Sequence, residues 1–448
     1  MSSQPDGPLN PWASHPPAPD TAPATVPPSP YSNPERRRHQ SATYDLLVRG
    51  GTVLDPSQNL HAARDVAFAW GRVAAVIEPG AIEATQARLL IDATGKLVVP
   101  GLIDLHTHVY VGGAELALPA DEACAAAGTT TAIDAGTASA NNMLGFFRLA
   151  RDPSQTSARL YAFVHISGLG LVAHPHGESR DLSYLEPELA AQCILRYPGF
   201  VLGVKVRQSG YIVGQHGLEP LRRAIRAAEM AREALAAQGA GERLVPVMVH
   251  IGGAPASIAE LLALLRPGDI VTHCFTASGN GVLNADGRVE DACRRARDRG
   301  VSFDVGHGSG SLAEPVARAA VEQDFWPDTI STDLHTGSVT EKAIDLPTTM
   351  SKFLSFGLPL AAVVARATTG PARIVNTALP AQAREPLLGT LQPGAPGDAA
   401  ILDHRQGTFR FVDAQLNAWT GSEALLPAQT ILGGRPVGRP FPHPYLAP

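Results

Sequence analysis

Apolar runs with the composition of β-strands alternate with amphipathic, helix-like stretches along the middle of the chain. The strand-like runs cover residues 97–105, 130–136, 158–167, 200–206, 244–251, 269–275, 301–306 and 328–334. Apolar residues at three- and four-residue spacing lie between them, most clearly at 217–238, 256–265 and 289–300. Continuous apolar strands that alternate with helices are typical of a parallel sheet covered by helices. Eight such units predict an α/β fold, a (β/α)8 or TIM barrel.

The two ends of the chain predict a second, smaller domain. Short strand-like runs separated by Gly, Asp and Pro occur at YDLLVRGGTVLDP, DVAFAWGRVAAVI and RLLIDATGKLVVPG, and later at DAAILD, GTFRFV and TILGG. We expect these ends to pair in a small β domain with parts at 42–96 and 381–448, the second including a C-terminal tail. The barrel is expected at 97–380. Residues 1–41 are crowded with Pro, Ser and Ala and predict a disordered tail, with a docking segment for a partner as the alternative.

The amino-acid composition indicates which kinds of molecule the protein binds. A net charge of -6 disfavours non-specific nucleic-acid binding, so a small-molecule substrate is expected. No apolar run approaches the roughly 18 to 20 residues of a membrane span, and the first forty residues lack the apolar core of a secretion signal. Membrane association is therefore not expected. The four cysteines are widely spaced and predict reduced thiols in a cytoplasmic protein.

Metal-binding side chains follow several of the predicted strands. Two histidines one residue apart end the first barrel strand, and side chains that alternate with period two would point both imidazoles the same way. One divalent cation can then bind both rings, although a structural pair is the alternative. A barrel has its active site at the carboxyl ends of its strands. The candidate metal ligands at these ends are His106, His108, Lys205, His250, His273 and Asp333.

Lys205 and Asp333 suggest the chemistry. Lysine is rarely buried, and burial between Val204 and Val206 would favour its neutral amine. A neutral amine can add carbon dioxide to form a carbamate, whose two oxygens can bridge two cations. An ordinary lysine paired with an acid is the alternative. Asp333 is the expected general base, taking the proton of a metal-activated water that attacks an ester, amide or cyclic amide.

Five separated motifs carry a family resemblance. PGLIDLHTHV, GVKVR, MVHIGG, THCF and STDLH resemble the amidohydrolase superfamily, in particular its binuclear branch of dihydroorotases, hydantoinases and the amidohydrolase/deacetylase group. The resemblance implies a (β/α)8 barrel beside a small β-sandwich built from both chain ends. It also implies two divalent metal ions, usually Zn2+. His106, His108 and Asp333 would bind one ion, His250 and His273 the other, and carboxylated, CO2-derived Lys205 would bridge them.

Finer features favour the deacetylase group. Dihydroorotases typically have Arg two residues after the second His of HxH, where this chain has Tyr110. LVAHPHGE, VLGVKVRQSG, RPGDIVTHCF, FDVGHGSGS and ISTDLHTGS resemble the deacetylase pattern. The implied activity is hydrolysis of an acyl ester or amide of a small carboxylate-bearing substrate, an N-acyl amino acid or an O-acyl hydroxy acid. The alternatives are a cyclic-amide hydrolase of dihydroorotase or hydantoinase type and a non-catalytic scaffold.

Substrate contacts are predicted from side chains near the expected rim. Arg207 lies two residues beyond Lys205 and can pair with a substrate carboxylate in bidentate fashion, whereas a structural salt bridge is its alternative. The other candidates follow strands or lie in adjoining loops, where solvation is the alternative: His307, His335, Tyr110 and His176. A homo-oligomer is also compatible with the resemblance.

Overall fold

We describe residues 42–239 and 243–438 of the computed structural model of the chain. The predicted tail at 1–41 and the last residues, 439–448, lie outside the described residues. The described residues from Thr43 onward belong to one compact unit.

The first strands of the chain form an antiparallel ribbon with two parallel additions. They are β1 (Tyr44–Asp55), β2 (Leu60–Ala69), β3 (Arg72–Ile77), β4 (Ala87–Asp92) and β5 (Leu97–Pro100). β1 pairs antiparallel with β2 and β2 with β3, whereas β4 and β5 pair parallel with β1. Trp70 and Gly71, at the β2–β3 turn, both have positive φ, as the twist of a tight hairpin requires.

A curved, wholly parallel sheet follows. Its strands are β6 (Leu102–Thr107), β7 (Thr129–Ser139), β8 (Arg159–His165), β9 (Val201–Arg207), β10 (Val247–His250), β11 (Ile270–Thr272) and β12 (Ser302–Asp304). From β7 to β12, each strand pairs with the one that precedes it in the chain. This order is that of a β/α barrel, in which all carboxyl ends of the strands meet on one rim.

The predicted eighth strand, 328–334, closes the ring through bridges instead of a regular ladder. Thr329 forms a parallel bridge with Asp304 of β12, and Leu334 forms one with Thr107 of β6. Backbone hydrogen bonds from Val305 N to Thr329 O (3.1 Å) and from His108 N to Leu334 O (3.0 Å) support both sides. The prediction of a (β/α)8 barrel is therefore confirmed.

Helices cover the barrel. They are α1 (Ala120–Ala123), α2 (Met143–Arg151), α3 (Pro187–Arg196), α4 (Gly210–Val213), α5 (Glu219–Ala237), α6 (Ile258–Leu264), α7 (Asp291–Asp298), α8 (Glu314–Val321), α9 (Leu346–Ser355), α10 (Leu360–Arg366) and α11 (Thr369–Ala378). α5 buries Leu221, Ala224 and Ala228 at the spacing expected of an amphipathic helix. Within the described ranges, we find no helix whose length and apolarity would let it cross a bilayer.

The last strands return to the first sheet. They are β13 (Ala399–Val412), β14 (Ala418–Leu432) and β15 (Arg435–Val437). β13 pairs antiparallel with β5, and the resulting order is β15-β14-β13-β5-β1-β2-β3, with β4 also on β1. The prediction that strands from both chain ends pair with one another is confirmed.

The predicted strand 97–105 is wrong in one respect, because it is two strands in two sheets. β5 belongs to the sheet of the chain ends, and β6 begins the barrel. Gly101 separates them at a crowded point, where an added Cβ would lie 2.2 Å from Thr130 Oγ1. The continuous apolar run concealed this change of sheet.

Candidate metal centre and active-site cavity

The carboxyl end of β6 and the eighth strand segment place two imidazoles beside one carboxylate. His106 Nε2 lies 3.3 Å from Asp333 Oδ1, and His108 Nε2 lies 3.0 Å from the same oxygen. All three residues are buried, with Asp333 the most exposed at 9%. The structure thus brings together the HxH pair and the aspartate that the sequence singled out.

Hydrogen bonds at the far side of two rings determine which nitrogen faces the centre. His273 Nδ1 lies 2.6 Å from the Gly306 carbonyl oxygen, which can only accept, so Nδ1 donates. His106 Nδ1 lies 2.8 Å from Thr272 Oγ1, which donates its own proton to Asp304 at 2.8 Å and therefore accepts from the ring. In both neutral rings the lone pair is then on Nε2. Such outer contacts orient the imidazoles of metal sites.

A hydrogen bond also determines the tautomer of His250, but here the donating nitrogen is Nε2. Its Nε2 lies 3.1 Å from Ser209 Oγ, and that hydroxyl donates to the Gly252 carbonyl at 2.6 Å. The ring therefore donates from Nε2 and keeps a lone pair on Nδ1. The ring centroids of His250 and His273 are 4.2 Å apart. His250 is thus prepared for ligation beside His273.

The donor set fits a divalent cation. One ligand atom each from His106, His273 and Asp333 lies within 4.8 Å of the others, and all three residues are buried. Imidazole nitrogen with carboxylate oxygen is a typical set for zinc and its neighbours in the first transition row. The three ligand atoms are close together and removed from water, and a cation is a partner that all of them can share.

Electrostatics keep the rings neutral and the carboxylate charged. Burial, with neighbouring positive groups, lowers the pKa of His106 and His250 well below the ordinary value, and burial lowers that of His273 to about 4. Burial raises the pKa of Asp333, but His106 and His108 lower it more, leaving it well below its usual range. At neutral pH these residues present the protonation states that metal ligands need.

Lys205 lies on β9 at the bottom of the same centre. Its Nζ lies 3.1 Å from His106 Nε2 and 3.6 Å from Met248 Sδ, and it is 1% exposed. Gly136 leaves room for this side chain, because a Cβ there would lie 2.6 Å from Lys205 Cβ. Burial lowers the pKa of Lys205 to about 7. The hydrogen-bond partners are thus neutral groups and not the acid that an ordinary buried lysine would require.

A cavity of about 600 Å³ opens above these residues. All six predicted ligands line it: His106, His108, Lys205, His250, His273 and Asp333. Its wall is completed by small residues of the loops that follow the strands, among them Ser209, Thr276 and Ser309. The volume suits a small molecule with a few placed polar groups.

The predicted substrate contacts divide into two groups. Arg207 and His335 line the cavity. Tyr110 instead stacks its ring on Phe146, with centroids 4.9 Å apart, and is not among the lining residues. His307 is fully buried and His176 is exposed, and both also lie outside the lining.

Sequence reasoning missed a buried charge cluster at the end of β8. Glu178 lies 3.4 Å from Arg207 Nη1 and 3.2 Å from His165 Nε2. Tyr211 Oη accepts a 2.7 Å hydrogen bond from Arg207 Nη2. His165 lies near the end of the third predicted strand, 158–167, and is the last residue of β8, so the strand-end rule used for the metal ligands also applies to it. Glu178 and His174, which lines the cavity, lie in an irregular loop with no periodicity to mark them.

Known proteins resemble this chain over most of its length. The sequence profile of the Amidohydrolase family matches residues 89–156. A deacetylase of Agrobacterium fabrum is 34% identical over 349 residues, 78% of this chain and 78% of that protein. A deacetylase of Enterococcus faecalis is 32% identical over 394 residues, 88% of this chain and 98% of that protein. The crystal structure of an adenine deaminase, 31% identical, covers 88% of this chain and 99% of its own, with a TM-score of 0.76.

Proposed function

Because the chain belongs to the deacetylases of the amidohydrolase superfamily, we propose that it is a metal-dependent hydrolase of a small carboxylate-bearing acyl ester or amide. N-acyl amino acids and O-acyl hydroxy acids are the substrates that fit this description. The observation that carries the proposal is the convergence of six candidate ligands on one cavity that Arg207 also lines.

The proposed cofactor is a pair of divalent cations, with Zn2+ the first candidate. His106, His108 and Asp333 would hold one, His250 and His273 the other, and Lys205 as its carbamate would bridge them. When bound, the cations act as Lewis acids that polarise the scissile carbonyl and make water more acidic. The lowered pKa of Lys205 supports the carbamate, because only the neutral amine reacts with carbon dioxide.

Asp333 is proposed to move the proton. Its Oδ1 lies at the centre, 3.0 Å from His108 Nε2, and its lowered pKa keeps it ionised and able to accept. It would take the proton of the attacking water and return it to the leaving group.

Arg207 is proposed to orient the substrate through its carboxylate. Glu178 and Tyr211 each contact one terminal nitrogen of the guanidinium and hold it at the cavity wall. Each of these nitrogens carries a second hydrogen, which a substrate carboxylate can accept. The structural salt bridge that was the alternative is present as well, and it serves to position the guanidinium.

Metal analysis tests the centre first. We expect about two metal ions per chain in wild type expressed with zinc and bicarbonate, and a sharp loss in Lys205→Ala. Lys96→Ala, at a lysine that pairs with Asp403 at 3.8 Å in the other sheet, is the matched control and should keep both ions. One ion or none in wild type, or two in Lys205→Ala, would refute the bridging role.

A substrate panel tests the reaction. Release of carboxylic acid from N-acyl amino acids or O-acyl hydroxy acids is expected, with KM rising at least tenfold in Arg207→Gln because a charge-assisted contact is lost. Dihydroorotate, hydantoins and adenine belong in the same panel. Turnover of the rings alone would support the cyclic-amide alternative, and release of ammonia from adenine would replace hydrolysis of acyl groups by deamination.

Two further expectations concern the cellular location and the oligomeric state of the protein. A cytoplasmic location is supported by the four cysteines, which are free and buried. A homo-oligomer stays a prediction, which the mass of the protein in solution will decide.

A further inference from the structure

Helix α9 carries a buried lysine that the proposed mechanism does not use. Lys352 is 1% exposed, although lysine is almost never fully buried without partners. Its Nζ lies 2.6 Å from His307 Nε2, 2.5 Å from the Lys342 carbonyl oxygen and 2.8 Å from the Val412 carbonyl oxygen. Three acceptors match the three hydrogens of an ammonium group. The side chain thus joins three segments that are distant in sequence.

The direction of the contact with His307 follows from the other ring nitrogen. His307 Nδ1 lies 2.9 Å from the Gly308 carbonyl oxygen, which can only accept, so Nδ1 carries the proton. Nε2 of the neutral ring therefore has the lone pair and accepts from Lys352. His307 is fully buried on a loop, and this contact determines where its ring lies.

The loop that follows β12, residues 306–311, is in direct contact with the metal ligands. The carbonyl of Gly306 orients His273, as described above. Gly308 has a φ of +55° and lies so close to Asp333 that an added Cβ would be 2.3 Å from Oδ2. Any movement of this loop would therefore displace the carbonyl that orients His273 and change the packing against Asp333.

Lys352 reaches the same loop by a second route. Its acceptor Lys342 donates from its own Nζ to the Ser309 carbonyl at 2.6 Å. Val412, the third acceptor, is the last residue of β13 and belongs to the sheet of the chain ends. The lysine thus connects the loop at the centre to the sheet of the chain ends.

We propose that Lys352 is a positioning residue that, through His307, holds the loop 306–311 against the metal ligands His273 and Asp333. The inference rests on the proposed function, since it takes the six-residue cluster as a metal centre. It assigns to His307 a role in anchoring the loop, in place of contact with substrate. Residues that hydrogen-bond a metal ligand directly typically change metal affinity or activity by about 10- to 100-fold when removed, and Lys352 acts one contact further out.

The test compares metal retention with stability. Lys352→Met, His307→Leu and the double variant are loaded with zinc and titrated with a chelator, while kcat, KM and the melting temperature are measured on the same samples. We expect Lys352→Met to release zinc at about 10-fold lower chelator concentration, the lower end of that range, with kcat reduced and KM little changed. The double variant should lose no more than the worse single variant, because the two residues act in series.

Ser351→Ala is the matched control on the same helix. Ser351 Oγ accepts from Leu425 N at 2.8 Å and donates to the Pro347 carbonyl, without contact to the loop. It should lower the melting temperature and leave zinc retention unchanged. Equal zinc loss in Ser351→Ala, or wild-type retention in Lys352→Met, would overturn the inference.

Two outcomes separate this inference from the proposed function. If wild type binds no metal, the proposed function fails before any variant is compared, and the inference fails with it. If wild type holds two ions and the Lys352 and His307 variants hold them equally well, only the inference fails. If Lys352→Met does not fold, zinc retention in His307→Leu tests the inference, because that substitution leaves α9 unaltered.

Discussion

Glu178 is a buried carboxylate that pairs with one arginine and contacts one histidine. It is 1% exposed and lies 3.4 Å from Arg207 Nη1 and 3.2 Å from His165 Nε2. Removing one partner of such a buried set leaves the others uncompensated, which costs more than the intact set contributes. The arginine proposed to bind substrate therefore depends on a residue that never reaches the cavity.

The pH dependence of stability should reveal this carboxylate. Burial raises the pKa of Glu178, but Arg207 and His165 lower it more, to about 2 from 4.5. Because the folded pKa is the lower one, its stabilisation is complete above about pH 4.5 and is lost as the pH falls toward 2. We expect Glu178→Gln to reduce the free energy of unfolding by about 3 kcal/mol at neutral pH. The difference from wild type should shrink toward zero near pH 2.

Denaturant unfolding at a series of pH values makes this measurement. Glu219→Gln is the control, because Glu219 forms a 3.1 Å ion pair with Arg223 on the exposed side of α5. Such surface pairs are worth about 0 to 1 kcal/mol. A difference between Glu178→Gln and wild type that stays constant from pH 7 to pH 2 would contradict the assignment.

At the scale of secondary-structure elements, the junction between β5 and β6 joins the two sheets. The chain passes from Pro100 to Leu102 with one residue between the sheets. Gly101 N donates to the Asp398 carbonyl at 2.9 Å, just before β13. The Asp398 carboxylate also pairs with Arg159 of β8 at 2.7 Å, so Asp398 contacts the barrel as well as the junction. Both sheets are thereby held in one arrangement at this point.

Gly101→Ala should disturb that junction. Its Cβ would lie 2.2 Å from Thr130 Oγ1 and 2.7 Å from Asp398 Cβ, so one strand must shift. Overpacking of this kind typically costs about 1 to 3 kcal/mol of unfolding free energy. Urea unfolding should show the loss, and Gly310→Ala, whose Cβ would meet nothing within 4 Å, should show almost none. Equal stability of the two variants would argue against a tight junction.

At the scale of the whole molecule, the candidate ligands tie distant parts of the barrel together. They come from β6 and its end, β9, β10, the segment after β11 and the eighth strand segment. A cation that binds only the folded chain stabilises it in proportion to the logarithm of its concentration over Kd. Metal binding is therefore expected to contribute to the stability of the barrel as well as to its chemistry.

Removal of metal should lower the melting temperature. At a metal concentration of about 1,000 Kd the linkage is worth about 4 kcal/mol, enough to shift a barrel of this size by several degrees. Calorimetry of wild type before and after chelation measures the shift. Lys205→Ala should melt at nearly the same temperature with and without chelator. A melting temperature of wild type that does not respond to chelation would mean that no tightly held ion links these strands.

The sequence by itself determined the barrel and the candidate ligands. Apolar periodicity is a local property, so it marks strands and helices without knowledge of their partners. Parallel strands end on one rim, and this rule alone brought His106, His108, Lys205, His250, His273 and Asp333 together. The same rule also selects His165, the last residue of β8.

Tertiary structure alone decided how these residues are held. The partners that determine the ring tautomers are a carbonyl and two hydroxyls from other segments, and backbone carbonyls leave no trace in a sequence pattern. Loops have no periodicity, so their residues could not be sorted: His174 lines the cavity, whereas His176 and His307 do not. Lys352 lies in a helix that the sequence did not connect with the site, 45 residues beyond His307. Contacts over such separations arise only once the barrel and the sheet of the chain ends have packed.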